Sequence, residues 1–157
     1  MSADRLHAMA TVRNVARGYR ERPDPAQRTP PSLFALLDDE FGFTLDAAAS
    51  DLNHLCHRYF TEADDALKQP WTGVVWCNPP YGRGLELWMR KALDSARAGA
   101  TVVCLVPVAS DLDWWHEIVL PFAREVRFLR GRLHFGREDD GRPARGAFGP
   151  HAVVVFG

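Results

Sequence analysis

A chain of 157 residues is large enough for one hydrophobic core and too small for two. Its hydrophobic fraction of 46% and charged fraction of 25% are ordinary for a soluble globular protein, and no apolar run approaches the roughly 18 residues that span a membrane. The cysteines are odd in number and no signal-peptide pattern is present, so we expect a reducing, cytoplasmic location. His54, Cys56 and His57 have no second cluster to complete a metal site, so no metal is predicted.

The formal net charge of −1 argues against a strongly basic nucleic-acid binder, but the charge is unevenly distributed. Residues 1–31 and 122–157 each carry a net charge of +3, whereas residues 32–121 carry −7. Residues 1–28 are rich in Arg, Pro and Ala, which predicts a flexible basic arm before a single domain over residues 29–157. The flanking arginines could meet phosphate groups, and ordinary surface charge is the alternative.

Helices and strands are predicted to alternate along the domain. A first helix begins after Thr29, the expected cap, and ends at Gly42. Further helices are predicted at 52–56, 85–98 and 114–122. Strands are predicted at 43–46, 58–61, 74–77, 101–107, 125–129, 132–135 and 152–156, and the strand at 101–107 is expected to be a central parallel one. A long loop is predicted at 136–150. This alternation predicts an α/β architecture with a mainly parallel sheet.

An Asn-Pro-Pro-Tyr turn follows the strand at 74–77 and is the candidate catalytic site. Pro79 and Pro80 fix the backbone and remove two donors, which leaves the carbonyl groups before them free to accept. Asn78 adds a side-chain acceptor, and Tyr81 adds a flat aromatic face. If Asn78 Oδ1 and the Pro79 carbonyl accept hydrogen bonds from the two N–H groups of an aromatic amine, its lone pair becomes available to attack a methyl donor. A plain Pro-rich turn is the simpler alternative.

Acidic residues follow two other predicted strands. Asp46 is the candidate partner for the ammonium end of an amino-acid-like cofactor, and the small residues at 47–50 let a ligand approach the backbone. The absence of glycine there argues against a phosphate cradle. Asp64 and Asp65 could hold the ribose or adenine of the cofactor, or form a solvated turn. Because ligands bind at the carboxyl ends of parallel strands, we expect Asp46 and Asn78 to share one site.

In order and spacing, these motifs resemble the phage-type DNA N-6-adenine methyltransferases from about Thr29 to Phe156. The resemblance rests on Thr29-Pro30 with Leu33-Phe34, residues 43–50, residues 59–61, residues 64–67, Trp71, residues 78–81, Trp88 with Lys91-Ala92, and residues 131–135. It implies a single-domain, Rossmann-like methyltransferase fold with S-adenosylmethionine as donor and double-stranded DNA as partner. It also implies that adenine is flipped out and stacked on Tyr81, where its exocyclic amino group is methylated.

The resemblance and the residue patterns together predict two overlapping sets. The catalytic residues are Asn78, Pro79, Pro80 and Tyr81. The cofactor-binding residues are Thr29, Pro30, Leu45, Asp46, Ala47, Asp64, Asp65 and Asn78.

Other functions remain open from the sequence. Asn-Pro-Pro-Tyr also serves enzymes that methylate RNA or a protein glutamine, and the acidic middle of the chain does not favour DNA. A non-catalytic cofactor- or DNA-binding module is a further alternative. The loop at 136–150, with Arg137, Arg142 and Arg145, is the obvious candidate for reading a DNA sequence. A homodimer is one way for so small a domain to grip a duplex.

Overall fold

The most apolar segments of the chain form a central sheet with helices on both faces. The computed structural model describes residues 28–133 and 149–157. In chain order its elements are α1 (Pro31–Phe41), β1 (Leu45–Asp46), β2 (Val74–Cys77), α2 (Leu85–Arg97), β3 (Thr101–Pro107), α3 (residues 113–122, with a π-helical stretch at Trp115–Val119), β4 (Glu125–Phe128) and β5 (His151–Phe156). Two 3-10 helices, Glu62–Asp64 and Ala66–Lys68, lie between β1 and β2.

The five strands form one mixed sheet in the order β1-β2-β3-β5-β4. Strands β1, β2 and β3 are parallel, and β5 is antiparallel to both β3 and β4. The predicted α/β class and mainly parallel sheet are therefore confirmed. Residues 101–107 form the predicted central strand, which is parallel to β2 as expected but antiparallel to β5. A continuous apolar run indicates that both faces of a strand are buried. It does not indicate whether the neighbouring strand is parallel or antiparallel.

Alternate residues of β3 serve two separate apolar clusters, one on each face of the sheet. On one face, Val103 and Leu105 pack with Leu33 and Leu37 of α1 and with Trp76 of β2. The other face carries α2 and α3, represented by Met89, Leu93, Trp115 and Ile118, against Val102, Cys104 and Val106. Helix α1 therefore lies directly over the strand that leads to the Asn-Pro-Pro-Tyr turn.

The predicted helices at 85–98 and 114–122 are confirmed, and so is the helix that ends at Gly42. Gly42 is left-handed, with φ of 68°, and donates its N–H to the Asp38 carbonyl at 2.8 Å. The predicted cap at Thr29 is wrong, because the N-cap is Pro30 and no side chain caps the helix. Pro31 occupies the first helical turn, where a missing N–H is tolerated.

The predicted helix at 52–56 is also wrong, since this segment consists of turns and bends. Its backbone groups are used locally: Ser50 and Asn53 exchange two hydrogen bonds, and the Leu55 N–H donates to Asp46 Oδ2. The predicted strand at 58–61 is reduced to one parallel bridge between Tyr59 and Asp46, because β1 itself has only two residues to pair with.

Several predictions fall wholly or partly outside the described residues. Residues 132–133 are not in a strand, and the rest of the predicted strand at 132–135 is not described. The basic arm, apart from residue 28, and the arginine-bearing loop up to residue 148 also lie outside. The predicted domain division at residue 28 stays a prediction. Within residues 28–133 and 149–157, none of the helices has the length and apolar character needed to cross a membrane.

A buried arginine joins the edge strand β4 to α1. Arg127 is 3% exposed, and its guanidinium donates to both carboxylate oxygens of Glu40 and both of Glu125. It also lies over the ring of Phe41 at 5.3 Å. These contacts raise its pKa, with the hydrogen bonds to Glu40 as the largest cause, so the side chain remains charged.

Candidate active site

A cavity of about 960 Å³ lies at the carboxyl ends of β1 and β2. Three segments form most of its wall, and each follows a strand or the parallel bridge at Tyr59. The lining residues are Ala47, Ala48, Ala49, Ser50, Asp51, Asn53, Phe60, Thr61, Glu62, Ala63, Asp65, Ala66, Leu67, Asn78, Pro79, Pro80, Tyr81 and Trp88. A smaller cavity of about 360 Å³ lies by the opposite ends of β2 and β3 and contains none of the predicted site residues.

The structure brings six of the predicted site residues to the wall of the larger cavity. They are Ala47, Asp65, Asn78, Pro79, Pro80 and Tyr81. It does not bring the others to that wall: Thr29, Pro30, Leu45, Asp46 and Asp64. Leu45 belongs to the apolar core, and Pro30 is buried at the start of α1. Thr29, Asp46 and Asp64 each bind another part of the chain, as described below.

Asn78 lies between two hydroxyl groups, one from a distant segment of the chain and one from its own turn. Its Nδ2 donates to Thr29 Oγ1 at 3.2 Å, across 49 positions of sequence. The Tyr81 hydroxyl lies 3.1 Å from Asn78 Oδ1 and 3.0 Å from the carbonyl oxygen of Leu105. A hydroxyl has one proton, so Tyr81 donates to one of these two acceptors at a time.

The contact between the Tyr81 hydroxyl and Leu105 is explained by Pro79. In the β2–β3 ladder, Thr101 donates to Gly73, and the register pairs Cys77 with Cys104. One step further, the Leu105 carbonyl would accept from the N–H of residue 79, which is a proline. The Tyr81 hydroxyl replaces that missing donor. Burial raises the pKa of Tyr81 well above its ordinary value, so the hydroxyl keeps its proton.

The Tyr81 ring is half-buried rather than fully presented to the cavity. It packs against both apolar clusters and lies 5.4 Å from the ring of His151. Burial lowers the pKa of His151 to about 4, so this neighbour is neutral at physiological pH. Tyr81 does line the cavity, and stacking of a substrate ring on it stays a prediction.

The carboxylate of Asp46 shapes the loop beside the cavity. Asp46 is 2% exposed, and it accepts from the Leu55 N–H at 3.0 Å and the Ala48 N–H at 3.3 Å. Burial raises its pKa to about 6, and the two backbone hydrogen bonds oppose that rise. The contacts hold together the two ends of residues 46–55. The predicted contact between Asp46 and a cofactor stays a prediction.

The two predicted acids of the 62–65 turn have different positions. Asp64 Oδ2 accepts from the Thr61 N–H and hydroxyl, and these bonds lower its pKa. Asp65 lines the cavity and pairs with Lys68 at 2.7 Å. Its φ of 51° makes it the one non-glycine residue with positive φ in the described part of the chain.

The site predictions omitted several residues that the fold places in the cavity wall. Asp51, Asn53, Phe60 and Glu62 are among them. The available signal was position: Phe60 lies near the end of the predicted strand at 58–61 and Glu62 follows it, just as Asn78 follows the predicted strand at 74–77. Asn53 gave no comparable signal because it belongs to the segment predicted to be helical, and Asp51 directly precedes that segment. Across the described ranges, no group of three or more His, Cys, Asp or Glu is arranged to hold a metal ion.

An α/β domain with an Asn-Pro-Pro-Tyr turn in a cavity at the carboxyl ends of its strands has the arrangement expected of an amino-methyltransferase. Residues 21–157 match the family model described as DNA N-6-adenine-methyltransferase (Dam), and the chain belongs to that family. It is similar to the DNA N-6-adenine-methyltransferase of Escherichia phage T1, at 32% identity over 92 residues. That match covers 57% of this chain and 38% of the relative, less than half of the relative's length. The predicted family resemblance is confirmed.

Proposed function

We propose that the protein transfers a methyl group from S-adenosylmethionine to the exocyclic amino group of adenine in double-stranded DNA. One observation carries the proposal: in a member of the Dam family, Asn78 and Pro79 lie in the wall of a large cavity at the strand ends. The helices on both faces of a mainly parallel sheet support a Rossmann-like fold for this domain.

The cavity fits S-adenosylmethionine in size and chemistry. Its volume of about 960 Å³ lies at the upper end of the range for ligand pockets. Ala47, Ala48 and Ala49 have side chains of one carbon, which leaves the backbone accessible to a ligand. The nearby acids Glu62 and Asp65 suit ribose hydroxyls and a positively charged sulfur. When bound, S-adenosylmethionine supplies an electrophilic methyl group on that sulfur.

The turn supplies the chemistry on the acceptor side. Asn78 Oδ1 and the Pro79 carbonyl accept hydrogen bonds from the two amino N–H groups of a flipped adenine, and this directs the nitrogen lone pair toward the methyl group. The N–C bond forms as the S–C bond breaks, and the sulfur keeps the bonding electrons. The methylated nitrogen then loses one proton to water. Holding both reactants in one cavity supplies much of the acceleration, so no strong base is required.

The arginine-rich flanks of the chain, which carry a net charge of +3 each, would contact the phosphates of the bound DNA. Modification of phage DNA is the biological setting that the phage T1 relative suggests. A homodimer would enlarge the surface that grips the duplex, and gel filtration with and without DNA would test that part of the proposal.

The direct experiment follows tritium from labelled S-adenosylmethionine into an unmethylated duplex. We expect label on adenine, no label on a duplex of G·C pairs alone, and a loss on the order of 100-fold or more in Asn78→Ala. RNA and a glutamine-containing peptide are assayed in parallel. Calorimetric binding of the donor without label on DNA would contradict the DNA assignment, and label on RNA or peptide would identify the alternative acceptor.

A further inference from the structure

We propose that Thr29 is a positioning residue for methyl transfer, because its hydroxyl holds the Asn78 carboxamide with Oδ1 available to the target amine. The inference rests on the proposed function. It differs from the predicted role of Thr29 as part of the cofactor pocket, because here Thr29 acts through Asn78.

The hydroxyl of Thr29 is directed at Asn78 and not at its own helix. Thr29 is 6% exposed, and its Oγ1 accepts from Asn78 Nδ2 at 3.2 Å. Helix α1 has Pro30 as its N-cap and receives no side-chain cap. Thr29 is also absent from the residues that line the cavity. In the described part of the chain, the hydroxyl therefore meets the candidate site through the Asn78 carboxamide.

Both partners of this hydrogen bond are fixed by one apolar cluster. Pro30 restricts Thr29 to extended backbone, and α1 begins at the next residue. Leu33 of α1 packs in the same cluster as Trp76 of β2, which lies two positions before Asn78. The ring of Phe34 lies 5.7 Å from that of Trp76. Movement of Thr29 relative to Asn78 would require α1 to move on the sheet.

The contact of Asn78 with Tyr81 does not replace this anchor. The single proton of the Tyr81 hydroxyl has a second acceptor in the Leu105 carbonyl at 3.0 Å, so the bond to Oδ1 need not persist. Oδ1 has two lone pairs, so it can accept from the target amine while Nδ2 remains on Thr29. Thr29 thus holds the donor end of the amide and leaves the acceptor end for the substrate.

An amide needs such an anchor more than a carboxylate does. A carboxylate presents an acceptor in either orientation, whereas a rotated carboxamide presents its NH₂ group to the NH₂ group of adenine. Two donors then face each other and the reactive geometry is lost. We expect loss of the Thr29 hydroxyl to lower kcat about tenfold, which is less than complete removal of the Asn78 oxygen.

The test compares Thr29→Val, which keeps the shape and removes the hydroxyl, with Thr29→Ser, which keeps the hydroxyl. We expect Thr29→Val to lower kcat about tenfold and Thr29→Ser to retain most of the activity. Calorimetric affinity for S-adenosylmethionine should change by less than about twofold in both. Thermal melts followed by circular dichroism confirm that each variant folds, and Thr29→Ala serves if valine packs poorly.

A second experiment uses the Asn78→Asp background, in which the side chain has two equivalent acceptor oxygens and need not be held in one orientation. In that background we expect Thr29→Val to lower kcat by less than about threefold, because either carboxylate oxygen accepts. Three results would each overturn the inference: equal losses in both backgrounds, a Thr29→Ser variant as slow as Thr29→Val, or a loss of donor affinity that accounts for the loss of activity. Failure of the wild type to methylate DNA would instead remove the proposed function.

Discussion

The buried carboxylate of Asp46 should make the stability of the protein depend on pH in an unusual direction. Its pKa rises from 3.8 to about 6 on folding, chiefly because burial disfavours the charged form. The folded protein therefore binds the proton more tightly than the unfolded chain does. The resulting stabilisation is fully present below about pH 4 and is lost as the pH rises through about 6.

The magnitude follows from the size of that shift. A rise of about two pKa units corresponds to a free energy on the order of 3 kcal/mol, a large part of the stability of a small domain. Asp46→Asn has no proton to exchange in this range, so it provides the reference. The unfolding free energy of the wild type minus that of Asp46→Asn should fall by on the order of 3 kcal/mol between about pH 4 and pH 7.

Urea unfolding followed by circular dichroism at several pH values measures this difference. Taking the difference between variants removes the titration of all carboxylates common to both proteins. Asp111→Asn, which replaces an exposed acid, gives the baseline for a simple charge change. A difference that rises with pH would mean that the hydrogen bonds from the Leu55 and Ala48 amides outweigh burial, and it would refute the reasoning.

Three other predictions concern the fold around the site. Gly73→Ala should destabilise the protein more than Gly42→Ala: both glycines have positive φ, but a Cβ on Gly73 would lie 2.6 Å from a threonine oxygen, whereas one on Gly42 meets nothing within 4 Å. Arg127→Met should cost about 1–3 kcal/mol in urea unfolding by leaving two partly exposed carboxylates without their shared cation, whereas exposed Arg130→Met should cost little. The stability advantage of the wild type over His151→Asn should shrink by about 3 kcal/mol as the pH falls from 7 to 4, since burial lowers the pKa of His151 to about 4.

Long periodic segments could be predicted from the sequence because burial alone determines them. The apolar stripe of α2 and the continuous run of β3 lie where the patterns predict. The direction of β5 could not be predicted, because its apolar residues fit a parallel or an antiparallel neighbour equally well. The helix predicted at residues 52–56 was wrong for another reason: the backbone N–H of Leu55 donates to the side chain of Asp46, nine positions earlier.

In the candidate site, too, the features that depend on neighbouring residues could be predicted, and those that depend on residues far away in the sequence could not. The Asn-Pro-Pro-Tyr turn could be located because a short motif follows an apolar strand. The partner of Thr29 could not be predicted, because a threonine before two prolines also fits a helix cap and its actual partner lies 49 positions away. Asp51 and Asn53 enter the cavity wall only because the loop from Asp46 is folded back.

The four residues of the Asn-Pro-Pro-Tyr turn depend on one another structurally, and the end of β2 explains why. Pro79 stops the ladder with β3 and so leaves the Leu105 carbonyl without its backbone donor. A buried carbonyl left unsatisfied would cost about 1–3 kcal/mol, and the Tyr81 hydroxyl supplies the missing bond. That bond also places the hydroxyl 3.1 Å from Asn78 Oδ1. Tyr81 therefore satisfies the last carbonyl group of the β2–β3 ladder and also lies beside Asn78 Oδ1. The proline that ends the ladder thus accounts for the position of Tyr81 in the candidate site.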